Sequence, residues 1–171
     1  MGMFDDYYAE AERSSRVVLV GEDNPHGDDQ KMALFPYPPQ SAGARLCEVI
    51  LEMRKGEYLR RFKRRNLCRG KWSAQEAGES AAALLDQARR DDLALVLLGA
   101  KVLAASGWDW KREEVVGQSL VFRPLYLDPA GALLAIPHPS GRCRRWNDPR
   151  VALAAREAIL SIERDHPRVQ K

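Results

Sequence analysis

Cysteine and long apolar segments are both scarce in this chain. Cys47, Cys68 and Cys143 are odd in number, widely spaced and without a CxxC pair, which argues against a disulfide framework and against a zinc or iron–sulfur site. No apolar run approaches the ~20 residues that a membrane-spanning helix needs. Residues 1–15 are acidic and lack the basic, then apolar order of a signal peptide. We therefore predict a cytoplasmic protein with no metal, no cofactor and no membrane partner.

The motifs of two common classes of hydrolase are also missing. Ser140 lies outside a G-x-S-x-G turn and is too near His138 in sequence for an obvious serine–histidine–aspartate triad. Metal hydrolases carry spacings such as HExxH, and this chain has none. A metal site built from the polar turn residues stays open as an alternative without support from spacing. Its ligands would be Asp23, His26, Asp28, Asp29 and His138.

What the chain does contain is typical of one globular domain. It has 171 residues, of which 45% are hydrophobic and 30% charged, enough for a single sizeable core. Short apolar runs at residues 17–20, 93–99 and 132–136 predict buried strands. Weaker strand predictions fall at residues 66–68, 115–122 and 125–127. Helices are predicted at residues 41–53, 57–65, 73–92 and 100–106, and after the Asp148-Pro149 cap.

The alternation of strands and helices predicts an α/β fold. We expect a three-layer α/β/α sandwich around a central, mostly parallel, four-stranded sheet. Residues 1–15 are expected to be a partly ordered acidic lead-in, and residues 164–171 a polar tail. No internal repeat or linker divides the chain, so we predict one domain over residues 1–171 and a monomer.

Two polar turns follow predicted strands and are about a hundred residues apart. The first, GEDNPHG, carries Asp23, Asn24 and His26, and the second, HPSGR, carries His138 and Ser140. Because open α/β sheets bind ligands beyond the carboxyl ends of their strands, both turns are expected to line one cleft. An aspartate that orients water and a histidine that donates to an anionic leaving group would suit metal-free acid–base chemistry.

Positive charge is concentrated locally, although the formal net charge is only +3. Such local density suits phosphate contacts, and a solvated helix face is the alternative. The first basic cluster comprises Arg54, Lys55, Arg60, Arg61, Lys63, Arg64, Arg65, Arg69 and Lys71. The second cluster adjoins the HPSGR turn and comprises Arg142, Arg144, Arg145 and Arg150.

The order of four elements, GEDNPHG, ALFPYP, Asn66 and HPSGR, resembles the uracil-DNA glycosylase superfamily over residues 17–148. The resemblance implies a uracil-DNA glycosylase-like fold and a DNA partner, single- or double-stranded. It also implies base-excision repair chemistry, in which a base is flipped out of DNA and its N-glycosidic bond is hydrolysed. The alternative is a catalytically inactive DNA- or nucleotide-binding module on the same fold.

The resemblance also implies a role for each matching residue. Asp23 corresponds to the acid that positions the attacking water, and His138 to the imidazole that stabilises charge on the base. Phe35 corresponds to the stacking aromatic and Asn66 to the amide that reads the base edge. The remaining expected base contacts are Gly21, Glu22, Asn24 and Pro25. The expected DNA contacts are Pro139, Ser140, Gly141, Arg142, Arg144 and Arg145, with Arg142 at the position of the wedge residue.

Two departures from the family pattern bear on the substrate. Asn24-Pro25 stands where the best-known branch has Pro-Tyr, and that tyrosine excludes a 5-methyl group. Thymine and pyrimidines with bulkier 5-substituents therefore remain open beside uracil. An alignment with the G-x-N-P turn of other branches would instead make Asn24 the residue that holds the water. The segment FKRR before Asn66 is also far more basic than the apolar strand usual there.

Overall fold

The computed structural model describes residues 2–24, 27, 29–107 and 122–169. These residues form a five-stranded sheet in the order β2-β1-β3-β5-β4. Neighbours among the first four strands are parallel, and β4 runs antiparallel to β5. The strands are β1 (Val17–Asp23), β2 (Lys63–Cys68), β3 (Ala94–Leu98), β4 (Leu125–Tyr126) and β5 (Ala132–Ile136).

Helices cover both faces of this sheet. None of those in the described ranges is long and apolar enough to cross a membrane. Short 3₁₀ turns occur at Gln30–Met32 and Arg144–Asn147, and a wider π turn, Leu46–Ile50, extends the second helix. The α-helices are α1 (Met3–Ser14), α2 (Ala42–Arg45), α3 (Lys55–Arg61), α4 (Ala74–Asp91), α5 (Ala100–Ala105) and α6 (Pro149–Asp165).

The core is divided by the sheet into two apolar layers. Along β1, Val17 and Leu19 pack with residues of α3, α6 and the π turn, whereas Val18 and Val20 pack with α4 and α5. This alternation follows from the two-residue repeat of a strand. An α/β architecture with a mostly parallel sheet between helices is thereby confirmed. The predicted number of four strands is wrong, because the two-residue β4 adds an antiparallel edge strand.

The amino-terminal segment differs from its prediction as a partly ordered lead-in. Residues 3–14 form a helix whose apolar side includes the buried Ala11 and the partly buried Tyr7. The Glu12 carboxylate accepts a hydrogen bond of 2.7 Å from Arg65 on β2. Lys31 binds Asp5 at the same distance of 2.7 Å. These contacts hold the acidic helix against the body of the protein.

Helix boundaries between residues 41 and 68 also differ from the predictions. The first helical segment ends at Ile50 rather than near residue 53, and Gly56 lies inside α3 instead of ending the preceding helix. Residues 63–65 were predicted as helix but form the start of β2, since they pair with Val18–Val20 of β1. Pairing with a buried strand overrides the helical preference of lysine and arginine. Most of the predicted strand 115–122 lies outside the described residues.

Candidate active site

The carboxyl ends of the parallel strands surround a cavity of about 260 Å³. Asp23 reaches it from β1, Asn66 from β2, and His138 from the turn after β5, while Phe35 contributes from the proline-rich segment. The two polar turns therefore line one cleft, as their positions after strands predicted. The full lining comprises Glu22, Asp23, Asn24, Met32, Leu34, Phe35, Tyr37, Ser41, Ala42, Gly43, Asn66, His138 and Ser140.

The Asn66 amide fits beside Gly21 on the neighbouring strand. The two residues are register partners, and a Cβ atom on Gly21 would overlap the Asn66 Oδ1 atom. The backbone of Asn66 is held by the Gln30 side chain, with distances of 3.3 and 3.4 Å. Asn66 is only 6% exposed, yet its side-chain amide makes no hydrogen bond to the described part of the chain. A buried amide without a protein partner is available to a ligand in the cavity.

The turn that carries His138 is fixed by hydrogen bonds at three consecutive residues. The Trp146 indole donates to the His138 carbonyl at 2.8 Å, and Arg45 Nε donates to the Pro139 carbonyl at 3.1 Å. The Ser140 N–H donates to His138 Nδ1 at 3.2 Å. Trp146 itself is buried. Arg45 carried no sequence signal, because its role depends on a contact 94 residues away.

These contacts define the state of the His138 ring. Because Nδ1 accepts from Ser140, the proton of the neutral imidazole lies on Nε2. Burial lowers the pKa of His138, and the positive charge of Lys101 lowers it further, whereas Glu22 and Asp23 act in the opposite direction. Glu22 Oε1 is 4.0 Å from Nε2, too far for a hydrogen bond. At neutral pH the site therefore presents an uncharged ring whose N–H donates to no described residue.

Asp23 and Asn24 are adjacent but differently engaged. Asn24 is 4% exposed, and its side-chain amide donates to the Asp29 carbonyl at 2.9 Å. The Asn24 carbonyl accepts from Gly27 at 3.3 Å, which closes the turn. Asp23 is half-buried at the end of β1. Asn24 is thus used to shape the turn. Pro25 and His26 lie outside the described residues.

Phe35 is held rigidly in the cavity wall. Each carbonyl of residues 33–35 accepts a hydrogen bond from a side chain of another element: Arg64 at 3.0 Å, Tyr58 at 3.0 Å and Ser41 at 3.4 Å. Any Cβ atom on Gly43 would overlap this backbone, so α2 packs directly against it. The aromatic ring is therefore presented by an anchored segment rather than by a free loop.

A second cavity, of about 510 Å³, adjoins the first at His138. Its lining brings together two cationic side chains, Lys101 and Arg142, with Glu22, Ser140 and Gly141. Lys101 forms an ion pair of 3.3 Å with Glu22, and no motif in the sequence marked it. Two other expected DNA contacts, Arg144 and Arg145, line neither cavity. Arg144 is exposed and Arg145 is half-buried.

Two expected groups of DNA contacts are placed differently from their predictions. Pro139 is buried and its carbonyl is bound by Arg45, so it anchors the turn from within. In the first basic cluster, Arg61 binds Glu163 at 2.7 Å and Arg65 binds Glu12, while Arg64 is buried. Arg61 extends from α3, whereas Arg64 and Arg65 extend from β2. The charges of this part of the cluster are therefore paired or buried rather than gathered on one open helix face.

In comparisons with known proteins, the chain matches no family model and no curated protein. Within the described ranges, no three histidine, cysteine, aspartate or glutamate side chains are grouped closely enough to hold a metal ion. His26 and Asp28 of the metal-site alternative lie outside those ranges. The functional argument therefore depends on the cavity and on the side chains in its wall.

Proposed function

We propose that this protein is a DNA glycosylase that flips out uracil or a modified or mismatched pyrimidine and hydrolyses its N-glycosidic bond. The observation that carries the proposal is the common cavity of Asp23, Asn66, His138 and Phe35. A carboxylate, an amide, an imidazole N–H and an aromatic face are the groups that extrusion and cleavage of a base require. The resemblance in the sequence named the same four residues.

The extruded base would be held by two kinds of contact. Its ring stacks on Phe35, and the Asn66 amide, which can both donate and accept, binds its Watson–Crick edge. The cavity of about 260 Å³ is larger than a uracil ring, so its volume alone does not exclude a substituent at C5. The described lining includes Tyr37, but this tyrosine is 62% exposed and lies on the proline-rich segment. Substrates with a 5-substituent therefore belong in the test beside uracil.

Cleavage would follow from the positions of Asp23 and His138. A water oriented by the Asp23 carboxylate forms a bond to the sugar C1′ atom and transfers a proton to that carboxylate. The bond from C1′ to the base nitrogen breaks, and its electron pair leaves with the base. The His138 Nε2–H donates a hydrogen bond to the carbonyl oxygen on which this negative charge develops. Lys101 and Arg142, which line the adjoining cavity, would contact the phosphates next to the sugar.

The test is an excision assay on oligonucleotides that contain uracil, a G·T mismatch or a 5-substituted uracil, in single and double strands. The wild-type protein should leave abasic sites that alkali cleaves. Asp23→Asn should reduce the rate about 100-fold or more, because water is no longer activated. Asp86→Asn, on the exposed side of α4, is the matched control and should leave the rate unchanged.

Two results would contradict the proposal. One is the absence of abasic product from every substrate in the panel. The other is equal excision by wild type and Asp23→Asn. Salt-sensitive binding of the same oligonucleotides without any product, unaffected by Asp23→Asn, would instead identify a DNA-binding module that uses the pocket without chemistry.

A further inference from the structure

A buried arginine lies in the middle of β2, directly behind the cavity wall. Arg64 is 2% exposed, and its Nη1 donates to the Ala33 carbonyl at 3.0 Å. Its Nε atom is buried without a hydrogen-bond partner, and Arg64 forms no ion pair with any residue of the described ranges. By contrast, the adjacent Arg65 is bound by the Glu12 carboxylate. Two consecutive arginines thus differ in whether a carboxylate is paired with the guanidinium, and such pairing is what normally makes a buried charge tolerable.

Such an arrangement is costly for the fold. Moving a guanidinium out of water without a carboxylate partner is strongly unfavourable even after relaxation. Burial lowers the pKa of Arg64, but a guanidinium remains charged at neutral pH. Its register partner on β1 is Leu19, so this face of the sheet accommodates an aliphatic side chain. Packing alone therefore gives no reason for a charge at this position.

The position of the charge relative to the cavity supplies a reason. The Arg64 Cζ atom is 5.9 Å from the centroid of the Phe35 ring. Phe35 lines the cavity and Arg64 does not, so the cation reaches the ligand space only through residues of the wall, of which Phe35 is one. Phe4 packs edge-on against the same ring at 5.4 Å. The stacking surface is consequently fixed in place and has a positive charge at its back.

We propose that Arg64 acts through Phe35 as an electrostatic positioning residue, which makes this pocket selective for a pyrimidine that carries negative charge. This inference rests on the proposed function, in which the base leaves with the electron pair of the broken bond. A positive charge in the protein interior is poorly screened and interacts with such an anion across one aromatic ring. The Asn66 amide and the His138 N–H contact the edge of the base, and Arg64 adds attraction from its face.

The experiment measures binding of two free bases to the whole protein at neutral pH. 5-Nitrouracil is an anion under these conditions, whereas thymine is neutral. Wild type should bind 5-nitrouracil more tightly than thymine, and Arg64→Met should weaken 5-nitrouracil about tenfold while leaving thymine within about twofold. Arg64→Lys keeps the charge and should keep most of the preference. Arg65→Met, on the opposite face of the same strand, is the matched control and should keep it fully.

Stability measurements separate this role from a structural one. An apolar side chain in place of an unpaired buried charge is expected to leave the unfolding midpoint unchanged or raised in Arg64→Met. Excision of uracil should also slow more in Arg64→Met than excision of 5-fluorouracil, a better leaving group, because the better leaving group needs less stabilisation. If Arg64→Met fails to fold, Arg64→Gln, which also removes the charge, takes its place in the same comparison and should lose the preference for the anion.

Several outcomes would overturn the inference. Equal weakening of both bases in Arg64→Met would make Arg64 a structural support, and so would equal slowing of uracil and 5-fluorouracil excision. Both of those results leave the proposed glycosylase intact. If the wild-type protein binds neither base and releases none from DNA, the inference and the proposed function fall together.

Discussion

Two histidines lie at opposite ends of the sheet, each near a carboxylate, and they differ in how their ring nitrogens are used. His166, at the end of α6, is 5% exposed. Its Nδ1 lies 3.0 Å from the Ile162 carbonyl, and its Nε2 faces Asp92 at 3.6 Å. In His138, Nδ1 accepts a hydrogen bond from the Ser140 N–H, whereas Nε2 makes none to the described residues. The His138 ring lines two cavities.

The carboxylates beside the two rings differ in the same way. Asp92 accepts from the Gly131 N–H at 3.1 Å and binds Arg16 at 3.2 Å, so the amino end of the sheet forms a closed polar network. At the carboxyl end, the Asn66 amide and the His138 N–H are left open toward a cavity. Burial and a nearby carboxylate are therefore common to both ends, and open hydrogen-bonding groups distinguish the end at which we propose that the base binds.

The largest expected effect separates the two histidines directly. His138→Ala removes the donor to the developing anion and should slow excision about 100- to 1000-fold. His166→Gln removes a support that the site does not use, so excision should stay within about twofold. The same change should lower the free energy of unfolding by about 1–2 kcal/mol. Single-turnover excision and urea denaturation of both variants measure these quantities.

The comparison would be wrong if the effects were exchanged. A His166→Gln variant that folds but loses excision would show that the amino end of the sheet contributes to the reaction. A fully active His138→Ala variant would remove the imidazole from the mechanism, whatever the cavity contains.

Two glycines give a second matched pair, with a smaller expected effect on activity. Gly99 and Gly131 both have positive φ, at 99° and 91°. A Cβ atom on Gly99 would lie 2.9 Å from the His138 Cβ, whereas one on Gly131 would lie 2.8 Å from the carbonyl oxygens of Ala88 and Leu93. Gly99→Ala should displace the imidazole and slow excision about 10- to 100-fold. Gly131→Ala should cost about 1–3 kcal/mol of stability and leave excision by the folded fraction unchanged.

Excision rates below the melting temperature of each variant test this pair. Unaltered excision in Gly99→Ala would mean that the exact position of the His138 ring is unimportant. Excision that falls equally in both glycine variants would trace the loss to general destabilisation.

The strands that carry the site were predictable because their signals are local. The apolar runs at residues 17–20, 93–99 and 132–136 and the polar turns behind them placed Asp23 and His138 at one edge of the sheet. Asn66 was expected in a short strand at residues 66–68, and it lies inside the longer β2, whose first residues, 63–65, were predicted as helix. Helix α1 was missed because its stability comes from contacts with residues such as Arg65 and Lys31, far along the chain.

The supporting residues of the site were less accessible to sequence reasoning. Arg45 and Lys101 act through contacts with loops that are distant in sequence. Arg64 was counted within a basic cluster, and only the pairing of β2 with β1 shows that it is turned into the core. A sequence shows charge density, but the sheet decides whether a given charge faces solvent, a carboxylate or a cavity.

The smallest expected effect concerns the acidic limit of activity. Excision by this mechanism requires a neutral His138, and burial together with Lys101 lowers the pKa of His138 below its ordinary value of about 6.5. As pH falls, activity should therefore decline only below pH 6.5, with less than a twofold loss at pH 6.5 itself. Protonation is also easier in the unfolded chain, so this ring makes stability decrease as pH falls below about 6.5.

Two substitutions should move this limit in opposite directions. Lys101→Met removes a positive charge that lowers the pKa of His138, so the acidic limb of kcat/KM should shift to higher pH. Glu22→Gln removes a negative charge that raises it, so the limb should shift to lower pH. His166→Gln should leave the limb in place. Because screened charges at these distances move a pKa only modestly, each shift should be a fraction of a pH unit. If the acidic limb stays in place in both the Lys101 and the Glu22 variant, it belongs to another group, and the pH dependence of excision is not set by His138.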